Sequence, residues 1–144
     1  MNEVVTTRWT GNMAFESAID EFTIKMDALE SVGGTHQGPR PKPIVLSALA
    51  GCTGMDVISI LAKKRVFPVS FEIHVDGTLT DNHPKFYKWI KITYEFTGPE
   101  FNSDPAIAEK INQAIVLSRD NYCGVSQMLK GSCEISHEIV LHDS

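Results

Sequence analysis

The chain has 144 residues, 42% hydrophobic and 22% charged, with a formal net charge of −5. That size and balance fit one soluble domain with a real core. The acidic balance excludes general nucleic-acid binding and leaves no polybasic surface for anionic membrane.

No N-terminal run joins a basic flank to an apolar core, so no signal peptide is predicted. No apolar stretch is read as reaching the ~20 residues of a membrane span. Three cysteines, Cys52, Cys123 and Cys133, make a poor disulfide framework. These features point to the cytoplasm, where thiols stay reduced.

The N-terminus predicts three short strands, at 4–10, 13–19 and 21–27, rich in β-branched and aromatic residues. Gly11-Asn12 and Asp20-Glu21 are the expected turns. A loop over 33–43 follows, its late prolines holding it extended.

Residues 44–64 have the length of a long helix, with Pro43 suited to its first turn and Lys63, Lys64 and Arg65 near its negative end. At ~100° per residue Cys52, Asp56, Ser59 and Lys63 share a stripe. Ser47, Ala50 and Gly54 form a small-residue face opposite, where another backbone could approach. Gly51 and Gly54 cost a helix roughly 2 kcal/mol relative to alanine, which close packing is expected to offset. The helix therefore reads as the core of the fold.

Strands are expected at 69–79, with Phe71, Ile73, Val75 and Leu79 on one face, and at 86–98, with Ile90, Ile92, Tyr94 and Phe96 on one face. A helix over 102–120 opens with Ser103 or Asp104 as N-cap and Pro105 as first residue. A short helix over 121–131 is capped by Asn121 and closed by Gly131, and 132–141 alternates as a last strand. The order is α+β, with no repeat and no linker, so 1–144 is read as a single domain.

Cys52 can be a buried small hydrophobe or a nucleophile. Asp56, one turn on, disfavours a thiolate, and Lys63 lies about 16 Å away along the axis. An activating cation must therefore come from another segment or another chain. Cys123 falls in the first turn of a helix, where free N–H groups lower a thiol pKa. Cys133 shares a strand face with Ile135, His137, Ile139 and Leu141 and reads as core filling. No C-x-x-C or H-x-x-x-H pair occurs, and Cys133 and His137 would stand ~13 Å apart. His36, His74, His83 and His142 read as loop or surface residues. Neither a metal nor a cofactor is expected, and no phosphate loop or nucleophile elbow is present.

GPRPKPIVLSALAGCTGMDVISIL (38–61) and RDNYCGVSQMLKGSCEI (119–135) resemble the two signature regions of the OsmC/Ohr superfamily, the osmotically induced and organic hydroperoxide resistance proteins. The G-C-x-x-x-D-V-x-S-I-L pattern resembles its YhfA-like branch. The resemblance implies an α+β fold in which antiparallel sheets wrap around a long buried central helix in an intertwined homodimer. It also implies sites at the subunit interface. By position, Cys52 would be the peroxidatic and Cys123 the resolving cysteine of a thiol-dependent peroxidase, with an organic hydroperoxide as substrate and a dithiol as reductant. The sequence departs from the peroxidase branches at two points. Lys42 or Pro43 stands where they carry a glutamate, and the N-terminal hairpin has Arg8 on a strand rather than an arginine at its turn. Arg40 could supply a substitute charge. The alternatives are a dimeric small-molecule-binding or redox-sensing protein, and a thiol enzyme acting on another electrophile.

Overall fold

A computed structural model describes all residues, 1–144. The chain divides into two compact units, Met1–Val45 and Leu46–Ser144.

The first unit is an antiparallel meander of β1 (Thr6–Gly11), β2 (Ala14–Ile19) and β3 (Phe22–Met26). Gly11 and Asn12 turn the first hairpin with positive φ, as does Asp20 the second. These are residue types that tolerate the left-handed region. Asp27 then organises the following loop. Its buried carboxylate accepts the backbone N–H groups of Ala28 (2.7 Å), Thr35 (2.9 Å) and Gln37 (3.1 Å). The Thr35 bond first, then those of Ala28 and Gln37, hold that carboxyl below its ordinary range. Gly34 is required there, because a Cβ would lie 1.8 Å from the Ala28 carbonyl oxygen.

Helix α1 spans Pro41–Lys63. It starts earlier than the sequence predicts because Pro41, not Pro43, takes the first position, where a missing N–H costs little. In the second unit it is followed by β4 (Ser70–Leu79), β5 (Tyr87–Gly98), α2 (Pro105–Leu117), α3 (Gly124–Leu129) and β6 (Glu134–Asp143). Asp104 caps α2, accepting from Ala106 N at 2.9 Å, and Pro105 opens it as expected. A π-turn over Ser118–Tyr122 ends it short of the predicted boundary.

The sheet order is β4-β5-β6. β4 and β5 pair antiparallel, whereas β5 and β6 pair parallel, in place of the all-antiparallel arrangement the resemblance implies. The connection through α2 and α3 is long enough for the crossover a parallel pair needs. Ile90, Ile92, Tyr94 and Phe96 of β5 face the core with Leu49, Val57 and Leu61 of α1 and Ile111, Ala114 and Ile115 of α2. Each full burial of a large apolar side chain contributes roughly 1.5–3 kcal/mol.

Only one stripe of α1 is fully buried, Leu49, Thr53, Val57 and Leu61. The rest corrects one sequence reading and leaves a face of the helix open. By length and composition α1 is apolar enough to cross a membrane, contrary to the reading that no stretch reaches that length. One face, bearing Ala48, Gly51, Met55, Ile58 and Ala62 at alternating three- and four-residue spacing, is partly or fully open, with Met55 76% exposed. Close packing explains Gly54, where a Cβ would meet Ile73 Cδ1 at 2.9 Å. Gly51 has open space on its Cβ side, so nothing within the chain packs closely against it.

Candidate functional site

The helical repeat sets Cys52 and Asp56 one turn apart on α1. The π-turn after α2 brings Ser118 and Cys123 against them. Cys52 Sγ, a carboxylate oxygen of Asp56 and Cys123 Sγ all lie within 4.8 Å of one another. The two predicted site cysteines are thus neighbours, and both are free thiols. Cys52 and Asp56 are partly buried and Cys123 is buried, while Ser59 and Lys63 of the same predicted stripe are exposed.

A buried chain of hydroxyls ends on Asp56. Ser118 Oγ donates to Asp56 Oδ2 at 3.0 Å. Its single proton is thereby committed, so it accepts from Thr53 Oγ1 at 2.8 Å. Thr53 in turn accepts from Tyr94 Oη at 2.8 Å. The direction runs Tyr94 to Thr53 to Ser118 to the carboxylate, and these three residues are fully buried. Burial pushes the Tyr94 phenol up, with the Thr53 bond acting against it, so Tyr94 remains a donor.

Cys123 is the N-cap of α3 rather than a residue of its first turn, and Asn121 lies in the π-turn. Its sulfur accepts the Ser126 N–H at 3.4 Å. The expected lowering of this thiol does not result. Burial pushes Cys123 up, the Ser126 hydrogen bonds pull it down, and neighbouring Cys52 adds a further upward push. With Cys123 only 3% exposed, loss of hydration outweighs one short helix end.

Arg119, in the π-turn, donates from Nη1 to His137 Nδ1 at 2.6 Å. A guanidinium has only donors, so His137 is neutral with its proton on Nε2. Burial, then the Arg119 charge, lowers the His137 pKa, and the ring stands edge-on to Tyr94 with centroids 6.0 Å apart. A cavity of about 150 Å³ is lined by Arg119, Ser126, Lys130, Gly131, Cys133 and Ile135. Cys133 does not join the other two thiols; its Sγ donates to Leu129 O at 3.5 Å, and burial raises its pKa.

Arg8 and Arg40 belong to the first unit, where Arg8 pairs with Glu16 at 2.8 Å. Thr53, Tyr94, Ser118 and Arg119 escaped the sequence reading. The one available signal was Tyr94 itself, since a tyrosine on a buried strand face needs a partner for its hydroxyl.

Residues 34–138 match the family model described as OsmC-like protein. The chain belongs to the OsmC-like family. The OsmC-like chain is 33% identical over 101 residues to Protein YhfA of Escherichia coli (strain K12), covering 70% of this chain and 72% of that one. Among solved structures it is similar to a hypothetical protein from Aquifex aeolicus VF5, at 28% identity, a TM-score of 0.79 and 98% coverage of both chains. The organic hydroperoxide resistance protein OhrB of Bacillus subtilis shares the fold at 17% identity and a TM-score of 0.63, covering 96% of this chain and 98% of that one. The α+β class with two sheets and helices agrees with these relatives.

Proposed function

We propose that this OsmC-like chain is a thiol-dependent peroxidase that reduces organic hydroperoxides. The observation that carries the reading is the approach of Cys52 Sγ and Cys123 Sγ to within 4.8 Å, with a carboxylate beside both. Some fold relatives are named organic hydroperoxide resistance proteins, which supports the substrate class.

The Cys52 thiolate attacks one peroxide oxygen. An S–O bond forms, the O–O bond breaks, and the leaving oxygen departs as an alcohol with one thiol proton. Cys123 then attacks the sulfenic sulfur, an S–S bond forms, and water leaves with the second thiol proton. A dithiol reductant reopens the disulfide by exchange. Asp56, within reach of both sulfurs, takes the thiol proton as the thiolate forms, so the two negative charges do not stand together, and the hydroxyl chain holds it in place.

The chain works as a homodimer in this reading. The open apolar face of α1, with Met55 and Ile58 exposed and Gly51 free of neighbours, is suited to a second copy of the same helix.

A specific observation favours a second reading, a redox sensor. Burial keeps Cys123 protonated, which slows resolution and lengthens the life of the Cys52 sulfenic acid. One equivalent of cumene hydroperoxide, a rapid quench and peptide mass mapping distinguish the two. The peroxidase reading expects loss of two hydrogens at Cys52–Cys123 in the wild type and a trapped sulfenic acid in Cys123→Ser. Persistent sulfenic acid in the wild type would favour the sensor.

A further inference from the structure

We infer that the reduced Cys52, Asp56 and Cys123 cluster is a zinc site. The inference stands apart from the peroxide chemistry, because it needs only the donor atoms and their surroundings. Two thiols and a carboxylate from two separate elements converge within 4.8 Å. Zinc–sulfur bonds of ~2.3 Å and zinc–oxygen bonds of ~2.0–2.2 Å at tetrahedral angles set donors about 3.5–3.8 Å apart. Modest side-chain rotation therefore suffices to close this set on an ion. The mixed sulfur and oxygen donors suit a borderline ion such as Zn²⁺ rather than Ca²⁺ or Mg²⁺.

The surroundings are those of a metal site as well. Ser118 donates to Asp56 Oδ2, which orients that carboxylate and leaves its other oxygen for an ion. The Ser126 N–H already points at Cys123 Sγ and would support a thiolate there. A divalent ion that replaces two thiol protons leaves the net charge of the site unchanged. Three protein ligands leave a fourth position for water, and Cys52 and Asp56 are open enough for entry. Sequence spacing hid the set because its ligands lie on α1 and at the start of α3. Occupied, the site holds both thiolates and closes them to peroxide.

The test uses the full, reduced chain and Co²⁺ as a spectroscopic stand-in, displaced afterwards by Zn²⁺. One ion per chain is expected, with thiolate-to-cobalt charge transfer, tetrahedral visible bands, and release of two protons. Cys52→Ser should abolish the charge-transfer pattern of two thiolates, and Asp56→Asn should weaken binding 10-fold or more. Cys133→Ser should change nothing, with circular dichroism verifying the fold of each variant. The group of exposed Glu72 and His74 with half-buried Glu95 could also take an ion, but without sulfur absorption. Absence of charge transfer in the folded, reduced wild type overturns the inference. So does a spectrum unchanged in Cys52→Ser. Peroxide turnover is measured separately on metal-free protein, so either result leaves the peroxidase reading to its own test.

Discussion

Ser118 donates its hydroxyl proton to Asp56 across 3.0 Å, though the two residues stand 62 positions apart in the chain. That bond ties the π-turn after α2 to the face of α1 that carries Cys52. It also fixes the carboxylate shared by the two thiols.

Asp56→Asn removes the base while an amide oxygen can still accept from Ser118. Oxidation of Cys52 by an alkyl hydroperoxide should slow about 100-fold or more, within the range for a positioned proton acceptor. Stopped-flow mixing on metal-free variant and wild type measures the ratio. Equal rates would remove Asp56 from the proton path.

Ser118→Ala leaves the buried Thr53 proton without its acceptor and the partly buried Asp56 carboxylate without that donor. Urea unfolding should show a loss of about 1–3 kcal/mol. Tyr94→Phe removes only the outermost donor and should cost about 1 kcal/mol. A larger loss in Tyr94→Phe would mean the chain does not run in the stated direction.

Met55→Lys places a charge on the open face of α1 without touching the core. Sedimentation should show the wild type as a dimer and this variant shifted to monomer, with unchanged circular dichroism. A wild-type monomer at micromolar concentration would contradict the proposed homodimer.

Protonation of His137 would set an imidazolium against the Arg119 guanidinium. Its folded pKa is lowered, first by burial and then by that charge. The unfolded chain therefore binds this proton more readily, and stability should fall as pH drops below about 6.5, the ordinary histidine value. Above that pH the group contributes no slope. His137→Gln should flatten this part of the unfolding free energy against pH, measured alongside the wild type to subtract other groups.

Much of the second unit was legible from alternation. Ile90, Ile92, Tyr94 and Phe96 were readable as one buried face, and Pro105 after Asp104 marked the start of α2. The π-turn was not, because a register change at Ser118–Tyr122 leaves no composition signal. Its consequence is that Cys123 caps α3 instead of sitting inside it. The two cysteines carried their own signal, but the hydroxyl chain joins Thr53 to partners 41 and 65 residues away. Local pattern cannot report contacts of that range. The parallel pairing of β5 with β6 is likewise a property of the crossover, not of either strand.

The most direct measurement is the second-order rate of Cys52 oxidation by cumene hydroperoxide in the reduced, metal-free wild type, with free cysteine and Cys52→Ser as references. A rate at least 100-fold above that of free cysteine, lost in Cys52→Ser and ending in the Cys52–Cys123 disulfide, is expected of the peroxidase. A rate no faster than that of free cysteine would contradict it.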